Sequence, residues 1–360
     1  MHRYAPIFFA MAVAFRCGAI GTILPWGGGQ PNFPGNASGI VAISSSVDHS
    51  LGLRSDGTVI AWGYGFDGQT SVPTGLSGVH GIAAGEFFSV AAKTDGTVVA
   101  WGSDDYGQCD IPAGLGNVVA VSAGHAHALA LRGDGTVVAW GSNVYDQTNV
   151  PAGLSGVVAV VAAWNHSLAL KSDGTVVAWG ANEYGQTSVP AGLSGVTAIA
   201  ANQSYCLARK SDGTVVSWGT GSNLPGGLTG VVGLAAGETH GLALKNDGSV
   251  IAWGQNHSGE TIVPAGATGA TAIAAGWNYS LALAGNSPVV FVLTGPAWNN
   301  NVFHVSLQSQ NGMSYSLEFK NAVTDSTWTA LPSLSGNGGT LVLTDSSASG
   351  PQRFYRVHAQ

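Results

Sequence analysis

Charged side chains are scarce in this sequence. They make up 9% of the 360 residues, and Lys and Arg together number only 12. This scarcity, together with 54 glycines, argues against a helical protein and favours many short strands joined by tight turns. The net charge of -7 is spread along the chain without a Lys/Arg cluster, which argues against nucleic-acid binding.

Cysteine and catalytic motifs are also lacking. Cys17, Cys109 and Cys206 lie far apart and match no Cys/His ligand spacing, so we predict no metal site. The sequence contains no nucleophile elbow, phosphate-binding loop, His-Glu-x-x-His motif or paired-carboxylate signature, and its Gly-rich loops do not join a strand to a helix. We therefore predict a protein that is not an enzyme and holds no cofactor.

The apolar run near the N-terminus is too short to span a bilayer. A basic start, Met1-His2-Arg3, precedes the apolar run from Ala5 to Phe15, as in a secretory signal, and small residues around Ala12 fit a cleavage site. We expect residues 1–17 to form a signal peptide and the protein to be secreted or held at the cell surface. An uncleaved apolar N-terminus is the alternative.

One phrase, Asp-Gly-Thr-Val-Val-Ala-Trp-Gly, recurs through most of the chain. With small variations it begins at six aspartates, and the first five of these are 39 residues apart: Asp56, Asp95, Asp134, Asp173, Asp212 and Asp247. Such a period indicates a tandem array in which each copy is one supersecondary unit. An Asp-Gly turn between β-rich runs predicts a hairpin in every copy.

The sequence contains seven Trp-Gly pairs, which indicates seven units, and each unit also contains a recurring Pro. Repeats of about 40 residues with several strands each are typical of a β-propeller. The first unit has only the strand Thr22 to Trp26, and the last, Thr271 to Leu283, lacks its own Trp-Gly strand. We therefore predict an all-β fold, with a seven-bladed propeller over residues 20–287 closed by pairing of its N- and C-terminal strands.

The repeats resemble the RCC1 (regulator of chromosome condensation) repeat family. The short unit, with Gly-Gln-Thr-x-Val-Pro at Gly185 to Pro190 and Ser-Gly-Val-x-Ala-Ile-Ala at Ser194 to Ala200, is similar to bacterial members of the β-lactamase inhibitory protein II type. The resemblance implies a propeller that binds protein targets. The chain has no room for the projecting hairpin with which eukaryotic members act on a GTPase, so nucleotide exchange is not expected.

The repeat pattern stops after Pro288. Residues 289–360 contain alternating strand-like runs separated by Asn and Gly turns, which predicts a small antiparallel β-sandwich. The runs include Val289 to Leu293, Val302 to Leu307, Tyr315 to Phe319, Thr340 to Thr344 and Arg353 to Val357. A role in attachment or sorting is one interpretation, and a spacer is the other.

The loops at the end of each unit opposite the Asp-Gly turn carry most of the variation within the array. We predict that aromatic residues there bind a partner: Tyr64, Phe66, Phe87, Phe88, Tyr106, Tyr145, Trp164, Tyr184, Tyr205, Trp277 and Tyr279. The alternative is that these rings pack on neighbouring loops. Acids are interspersed among them, namely Asp48, Asp67, Glu86, Asp104, Asp105, Asp146, Glu183 and Glu238.

Two other sets of rings recur in the array. The seven tryptophans of Trp-Gly lie on predicted strands, so we interpret them as core between adjacent blades. His49, His127, His166 and His240 share one repeat position that holds Phe or Tyr in other copies, which favours a structural role in anchoring loops or lining a channel. A metal-binding ring and a hydrolase site at His127 or His166 are the alternatives.

These patterns predict a secreted, monomeric binding scaffold that recognises a protein through its aromatic loops. Two alternatives remain at the level of sequence. A lectin would stack the same rings on sugars, and an inhibitor of the β-lactamase type would place them on an enzyme.

Overall fold

The computed structural model describes residues 21–28, 33–34, 37–221, 223–285, 294–299, 302–308, 314–320, 329–335, 340–346 and 354–359. Residues 1–17, the predicted signal peptide, lie outside this set, as does the predicted strand Val289 to Leu293. Contacts between Cα atoms divide the chain into the units 1–287 and 288–360. Within the described residues, no helix has the length and apolar character needed to cross a membrane.

The first unit is built from strands β1 to β21 and one short 3-10 helix, Ala265–Ala267. Strands β1 to β10 are Gly21–Gly27, Ile40–Ser45, His49–Arg54, Val59–Gly63, Val79–Ala84, Phe88–Lys93, Val98–Gly102, Val118–Ala123, His127–Arg132 and Val137–Gly141. Strands β11 to β21 are Val157–Ala162, His166–Lys171, Val176–Gly180, Val196–Ala201, Tyr205–Lys210, Val215–Gly219, Val231–Ala236, His240–Lys245, Val250–Gly254, Ala270–Ala275 and Tyr279–Gly285. The all-β prediction is confirmed.

The strands form repeated antiparallel three-stranded sheets. The triplets β5-β6-β7, β8-β9-β10, β11-β12-β13, β14-β15-β16 and β17-β18-β19 are separate sheets, and β2-β3-β4 has the same order within a six-stranded sheet. The second and third strands of each triplet are joined by the predicted Asp-Gly turn. In one such turn, Asp173 Oδ1 accepts hydrogen bonds from the backbone nitrogen and the hydroxyl of Thr175, at 3.0 and 2.6 Å.

The N-terminal strand pairs with the last strand of the array. All seven residues of β1 pair with β21, from Gly21 opposite Gly285 to Gly27 opposite Tyr279. Gly27 thus has the same register as Gly102, which lies opposite Phe88 in an internal sheet. The first strands of successive sheets contact one another in chain order, and β20 also contacts β2.

The hydrophobic core lies between adjacent sheets. Each cluster combines residues of one sheet with residues of the next, as where Leu168 of β12 packs with Ile199 of β14 and Trp218 of β16. All seven tryptophans of Trp-Gly are buried, so their interpretation as core residues is confirmed. At about 25 cal/mol per Å² of apolar surface, these indoles are among the largest single contributions to the core.

The second unit, residues 288–360, contains strands β22 to β28. They are Thr294–Asn299, Val302–Gln308, Ser314–Lys320, Thr329–Ala330, Leu334–Ser335, Thr340–Asp345 and Phe354–Ala359. Strands β22, β23 and β27 form one sheet, while β24 pairs with β25, β26 and β28 in another. Buried residues of both sheets, including Val305, Tyr315 and Leu343, form one hydrophobic cluster.

Candidate functional site

Each repeat presents two loops at the end opposite its Asp-Gly turn. One loop follows the first strand and the other follows the Trp-Gly pair, and backbone hydrogen bonds join them. In the repeat of β5 to β7, for example, Ser103 N donates to Phe87 O at 2.9 Å. We call the surface formed by these loops the loop face, and the opposite end the Asp-Gly face. Both loops of a repeat therefore emerge together.

The glycine of Trp-Gly allows this junction between the loops. Gly102 has a φ of +113°, and a Cβ at this position would collide with the carbonyl oxygen of Phe87. An L-residue rarely adopts such a backbone conformation, whereas glycine does so readily. The loop aromatics are therefore held by backbone that is itself fixed to the sheet.

Six of the eleven predicted binding residues are exposed on the loop face: Tyr64, Phe66, Tyr106, Tyr145, Tyr184 and Trp277. Phe66 is 91% exposed and Trp277 is 50% exposed. Tyr64 and Phe66 stack on each other, with ring centroids 6.0 Å apart. Exposed rings on short, hydrogen-bonded loops offer contact area at small entropic cost.

Phe87 and Trp164 are half-buried and contact the same histidine. The His125 ring stacks on the Trp164 indole with centroids 4.8 Å apart, and Phe87 meets it edge-on at 6.3 Å. His125 Nε2 also lies 2.8 Å from Glu86 Oε2. Phe87 and Trp164 therefore fit the alternative interpretation, in which loop rings pack on neighbouring loops.

Three of the predicted binding residues are not on the surface. Phe88, Tyr205 and Tyr279 are buried, so their prediction as contact residues is corrected. Each is the first residue of the second strand of its sheet, where the side chain packs into the junction with the next sheet. Tyr205 Oη donates to His240 O at 2.6 Å, and Tyr279 Oη donates to His49 O at 3.0 Å.

At the centre of the loop face is an open depression, which we call the central depression. It is lined by one loop from every repeat, at residues 45–47, 84–86, 123–125, 162–164, 201–203, 236–238 and 275–277. A variable position of these loops holds Val47, Glu86, His125, Trp164, Gln203, Glu238 and Trp277. Side chains of different chemistry thus converge on one small space.

Carboxylates in the central depression, Glu86 and Glu238, and the neighbouring Asp48 influence one another. Burial and the negative charge of Glu86 raise the pKa of Glu238 above its ordinary value. Burial and Glu86 raise the pKa of Asp48 in the same way. Because like charges within a partly desolvated site repel one another, the depression favours a ligand of positive charge.

The four recurring histidines lie between adjacent sheets. His49, His127 and His240 place Nε2 2.9 to 3.0 Å from the hydroxyl of a serine in the next repeat, while His166 faces the thiol of Cys206 at 3.3 Å. All four rings are buried. The interpretation of these residues as structural is supported, since each joins two sheets.

The hydrogen-bond direction defines the state of these histidines. Ser167 Oγ donates to Gln147 O at 2.8 Å, so it accepts from His127, and Nε2 must carry the proton. Burial lowers the pKa of His127 to about 3, with smaller effects of His166 and His125. Burial also lowers the pKa of His49 to about 4, of His166 to about 3 and of His240 to about 4.

The Trp-Gly indoles share the same acceptors. Trp179 Nε1 donates to Gln147 O at 2.9 Å, and Trp101 Nε1 donates to Gln69 O at 2.9 Å. The carbonyl of Gln147 therefore accepts from both Trp179 and Ser167, and a carbonyl oxygen has two lone pairs for this purpose. Histidine, serine, tryptophan and a backbone carbonyl thus form one buried network at the junction.

The His127–Ser167 contact has an apolar counterpart within the same chain, Phe88 with Ala128. Ser167→Ala is expected to destabilise the protein by about 1–3 kcal/mol because it leaves His127 Nε2 buried without an acceptor. Adding His127→Phe recreates the apolar pair, so the double variant should lose less than the sum of the two single losses. Urea unfolding of the full chain measures the coupling.

A matched pair serves as the control for this cycle. Ser89 contacts His49 rather than His127, so His127→Phe and Ser89→Ala should combine additively, within about 0.5 kcal/mol. Additive losses for His127 and Ser167 as well would show that their hydrogen bond contributes no coupling.

Metal and thiol chemistry find little support in the described part of the chain. It contains no group of three or more His, Cys, Asp or Glu residues arranged to hold a metal ion. Cys206 is buried, and burial together with Asp104 and Asp110 raises the pKa of Cys109 to about 11. Burial also raises the pKa of Cys206. A raised pKa disfavours the reactive thiolate form of both cysteines.

Two surface residues were missed by sequence reasoning. Val144 is exposed on the loop face beside Tyr145. Its position holds Phe66, Asp105 and Glu183 in neighbouring repeats, so variation within the array was the available signal. The other is His125, which lines the central depression.

The comparison with family models supports the resemblance noted in the sequence. The model described as the regulator of chromosome condensation (RCC1) repeat matches residues 40–69, 79–108, 118–147, 157–186 and 231–260. Five of its repeats are therefore RCC1 repeats. A comparison with curated protein sequences gave no match.

Several solved structures have a similar fold. Prp20p from Saccharomyces cerevisiae aligns with a TM-score of 0.62 and 19% identity, covering 78% of this chain and 95% of Prp20p. Human WBSCR16 aligns with a TM-score of 0.60 and 19% identity, covering 73% of this chain and 99% of that chain. The ectodomain of the Arabidopsis thaliana receptor kinase ACR4 aligns with a TM-score of 0.56 and 23% identity, covering 71% of this chain and 93% of that chain. Because the sequence identities are low, these structural similarities show that the propeller fold is shared and nothing about function.

Proposed function

We propose that this RCC1-repeat protein is an exported, non-catalytic scaffold that binds a protein partner through its loop face. The observation that carries the proposal is the set of exposed rings on that face, Tyr64, Phe66, Tyr106, Tyr145, Tyr184 and Trp277. Rigid aromatic side chains at the surface are typical of residues that dominate protein binding energy. Export rests on the sequence pattern of residues 1–17.

The proposal includes a closed, seven-bladed propeller followed by a small β-sandwich. The register of β1 on β21 and the contact between β20 and β2 support closure. The two sheets around the Val305 and Tyr315 cluster support the sandwich. A closed ring would hold the loops of all repeats in fixed positions, and a preorganised surface loses less entropy on binding.

Two observations bear on the kind of function. The structure of Prp20p was reported with its binding to Gsp1p and histones, so a similar fold binds proteins in that case. His127 and His166, which a hydrolase would use, have Nε2 engaged by Ser167 and Cys206 between sheets. Both observations favour binding over catalysis. Inhibition of a β-lactamase-type enzyme is a narrower form of this proposal and rests on the sequence resemblance.

A lectin is the second candidate function. The half-exposed Trp277 indole lines the same depression as Glu238, and an indole face beside a carboxylate suits a sugar ring and its hydroxyls. A carbohydrate array probed with the full chain tests this candidate. Glycan binding that disappears with Trp277→Ala would favour it over a protein partner.

Capture from secreted and cell-surface extract tests the main proposal. The full chain is compared with a loop-face variant carrying Phe87→Ala, Trp164→Ala and Trp277→Ala. Once the captured protein is identified, each central substitution is expected to weaken its binding by about 2 kcal/mol, or roughly 30-fold, because such rings act as hot spots. Circular dichroism and thermal unfolding verify that the variant is folded.

The matched control changes three residues of the Asp-Gly face, Lys93→Ala, Lys171→Ala and Lys210→Ala, and should capture the partner as well as the parent does. Equal capture by the parent and the loop-face variant would show that Phe87, Trp164 and Trp277 do not form the binding site. Absence of any specific capture would reject the protein partner and leave the lectin candidate.

A further inference from the structure

The charges of the repeat array are separated between its two faces. All seven Lys and Arg residues of the array lie at the Asp-Gly end, within the last two residues of the second strand of their sheets: Arg54, Lys93, Arg132, Lys171, Arg209, Lys210 and Lys245. Each Asp-Gly turn also supplies an aspartate, as in the 2.9 Å pair of Lys93 and Asp95. The Asp-Gly face is therefore close to neutral.

The loop face carries negative charge with no lysine or arginine to balance it. Its acids include Asp48, Asp67, Glu86, Asp104, Asp105, Asp146, Glu183 and Glu238. An array whose cations all lie at one end has an asymmetric field, which attracts positively charged partners to the other end. Such complementarity raises association rates and selects among partners.

The central depression is a partly enclosed region of this negative surface. Glu86 is only 8% exposed, and its charge raises the pKa values of Asp48 and Glu238 after the larger effect of burial. His125 lies against Glu86 and offsets part of its charge when protonated. A second cation would relieve the remaining repulsion, and partial desolvation strengthens its attraction to the carboxylates.

Aromatic faces lie beside these carboxylates. Trp164 and Trp277 line the same depression as Glu86 and Glu238. The face of an indole attracts a guanidinium or ammonium group, and this attraction is stronger where water is excluded. Carboxylates and indole rings around a small open space match a long basic side chain better than they match a neutral or acidic group.

We propose that the loop face binds a positively charged segment of the partner protein and that an arginine or lysine side chain of this segment enters the central depression. The inference rests on the proposed function and names the chemistry of the partner. Glu86 and Glu238 bind the cationic group, Trp164 and Trp277 contact its stem and face, and the outer acids of the loop face attract the rest of the segment.

The test uses the full chain and a fluorescent peptide with arginines in a Gly-Ser background. A second peptide has citrulline, a neutral analogue of similar shape, at each arginine position. The arginine peptide should bind at least about tenfold more tightly, and its affinity should fall as salt is added, since exposed charges are screened. Anisotropy titrations measure both dissociation constants.

Two variants of equal net charge locate the site. The variant with Glu86→Gln and Glu238→Gln should bind the arginine peptide about tenfold or more weakly than the parent does. Asp95→Asn with Asp173→Asn removes two carboxylates from the Asp-Gly face and should change the affinity by less than about twofold. Thermal unfolding verifies that both variants are folded. A Trp277→Ala variant should also bind the arginine peptide more weakly than the parent does.

The outcomes separate this inference from the proposed function. Equal binding of the two peptides, no binding of either, or equal weakening by both paired variants would overturn the inference. Capture of a protein that depends on Trp164 and Trp277 would leave the proposed function standing in each of these cases. Arginine-dependent binding that requires Glu86 and Glu238 supports the inference even where extracts yield no captured protein.

Discussion

Acidification from about pH 6.5 to about pH 4 is expected to destabilise the repeat array steeply, so that it unfolds within this interval. The cause is the set of four histidines buried between sheets, His49, His127, His166 and His240, whose pKa values are lowered to about 4, 3, 3 and 4. In the unfolded chain the same residues have ordinary pKa values near 6.5.

The direction follows from proton binding. Below about pH 6.5 the unfolded chain takes up protons at these histidines, while the folded chain does not until its lowered pKa is reached. Stability therefore increases with pH across this window, because the unfolded state binds more protons. Each histidine contributes about 1.4 kcal/mol per pH unit, so four together contribute about 5 kcal/mol per unit. A domain stability of roughly 5–15 kcal/mol is soon exhausted at that slope.

Carboxyl groups affect the pH dependence of stability differently from the histidines. The pKa values of Asp48 and Glu238 are raised, so the folded chain binds these protons at higher pH than the unfolded chain, which opposes the effect of the histidines. Two carboxyls are too few to cancel four histidines. The hydrogen bond from Thr175 and smaller effects lower the pKa of Asp173 to about 2, so stability that depends on its ionised form is lost only below about pH 4.

Urea unfolding of the full chain at a series of pH values measures the slope. The variant His127→Phe with Ser167→Ala has one buried histidine fewer and should reduce the slope by about a quarter. The Asp173→Asn variant is the control and should leave the slope between pH 4 and 6.5 unchanged. A stability that is flat across this interval would show that the buried histidines titrate normally.

Replacing Trp26 by alanine is expected to cost about 3–5 kcal/mol, as large as the loss of an internal core tryptophan. Trp26 is 8% exposed in β1, and its Nε1 donates to Glu260 O at 2.8 Å. Trp101 is 7% exposed and donates to Gln69 O at 2.9 Å in the same way. The N-terminal strand therefore makes the same contacts as the third strand of an internal sheet.

Denaturant unfolding of Trp26→Ala, Trp101→Ala and Phe66→Ala compares these positions directly. Phe66 is 91% exposed, so its loss should change stability by no more than about 0.5 kcal/mol. A loss below about 1 kcal/mol for Trp26→Ala, with the full loss for Trp101→Ala, would indicate that β1 is not clasped to β21 in solution.

Most of the fold of the array was readable from local patterns. The hairpin predicted at Asp173 joins His166–Lys171 to Val176–Gly180. Alternation and Asp-Gly turns specify hairpins within a few residues, so no long-range information was needed. The burial of the tryptophans was readable too, since a large apolar ring that recurs on a predicted strand in every copy indicates a core position.

The error at Phe88, Tyr205 and Tyr279 has a specific cause. Each residue is adjacent to an unburied loop residue, and successive residues of a strand face opposite sides, so a shift of one residue exchanges surface and core. A signal was present in the array. The residue that contacts each ring in the next sheet is small, as where Ala128 packs with Phe88 and Ser50 hydrogen-bonds Tyr279.

The sequence by itself determined the period, the hairpins, the buried indoles and the separation of Lys and Arg from the loop acids, because these depend on residues within one repeat. Only the tertiary structure decided that Glu86, His125, Trp164, Glu238 and Trp277 share one depression. It also decided that Nε2 of His127 carries the proton, because Ser167 is itself a donor to Gln147. These contacts join residues 20 positions or more apart, and no local pattern records which of them the packing of the sheets brings together.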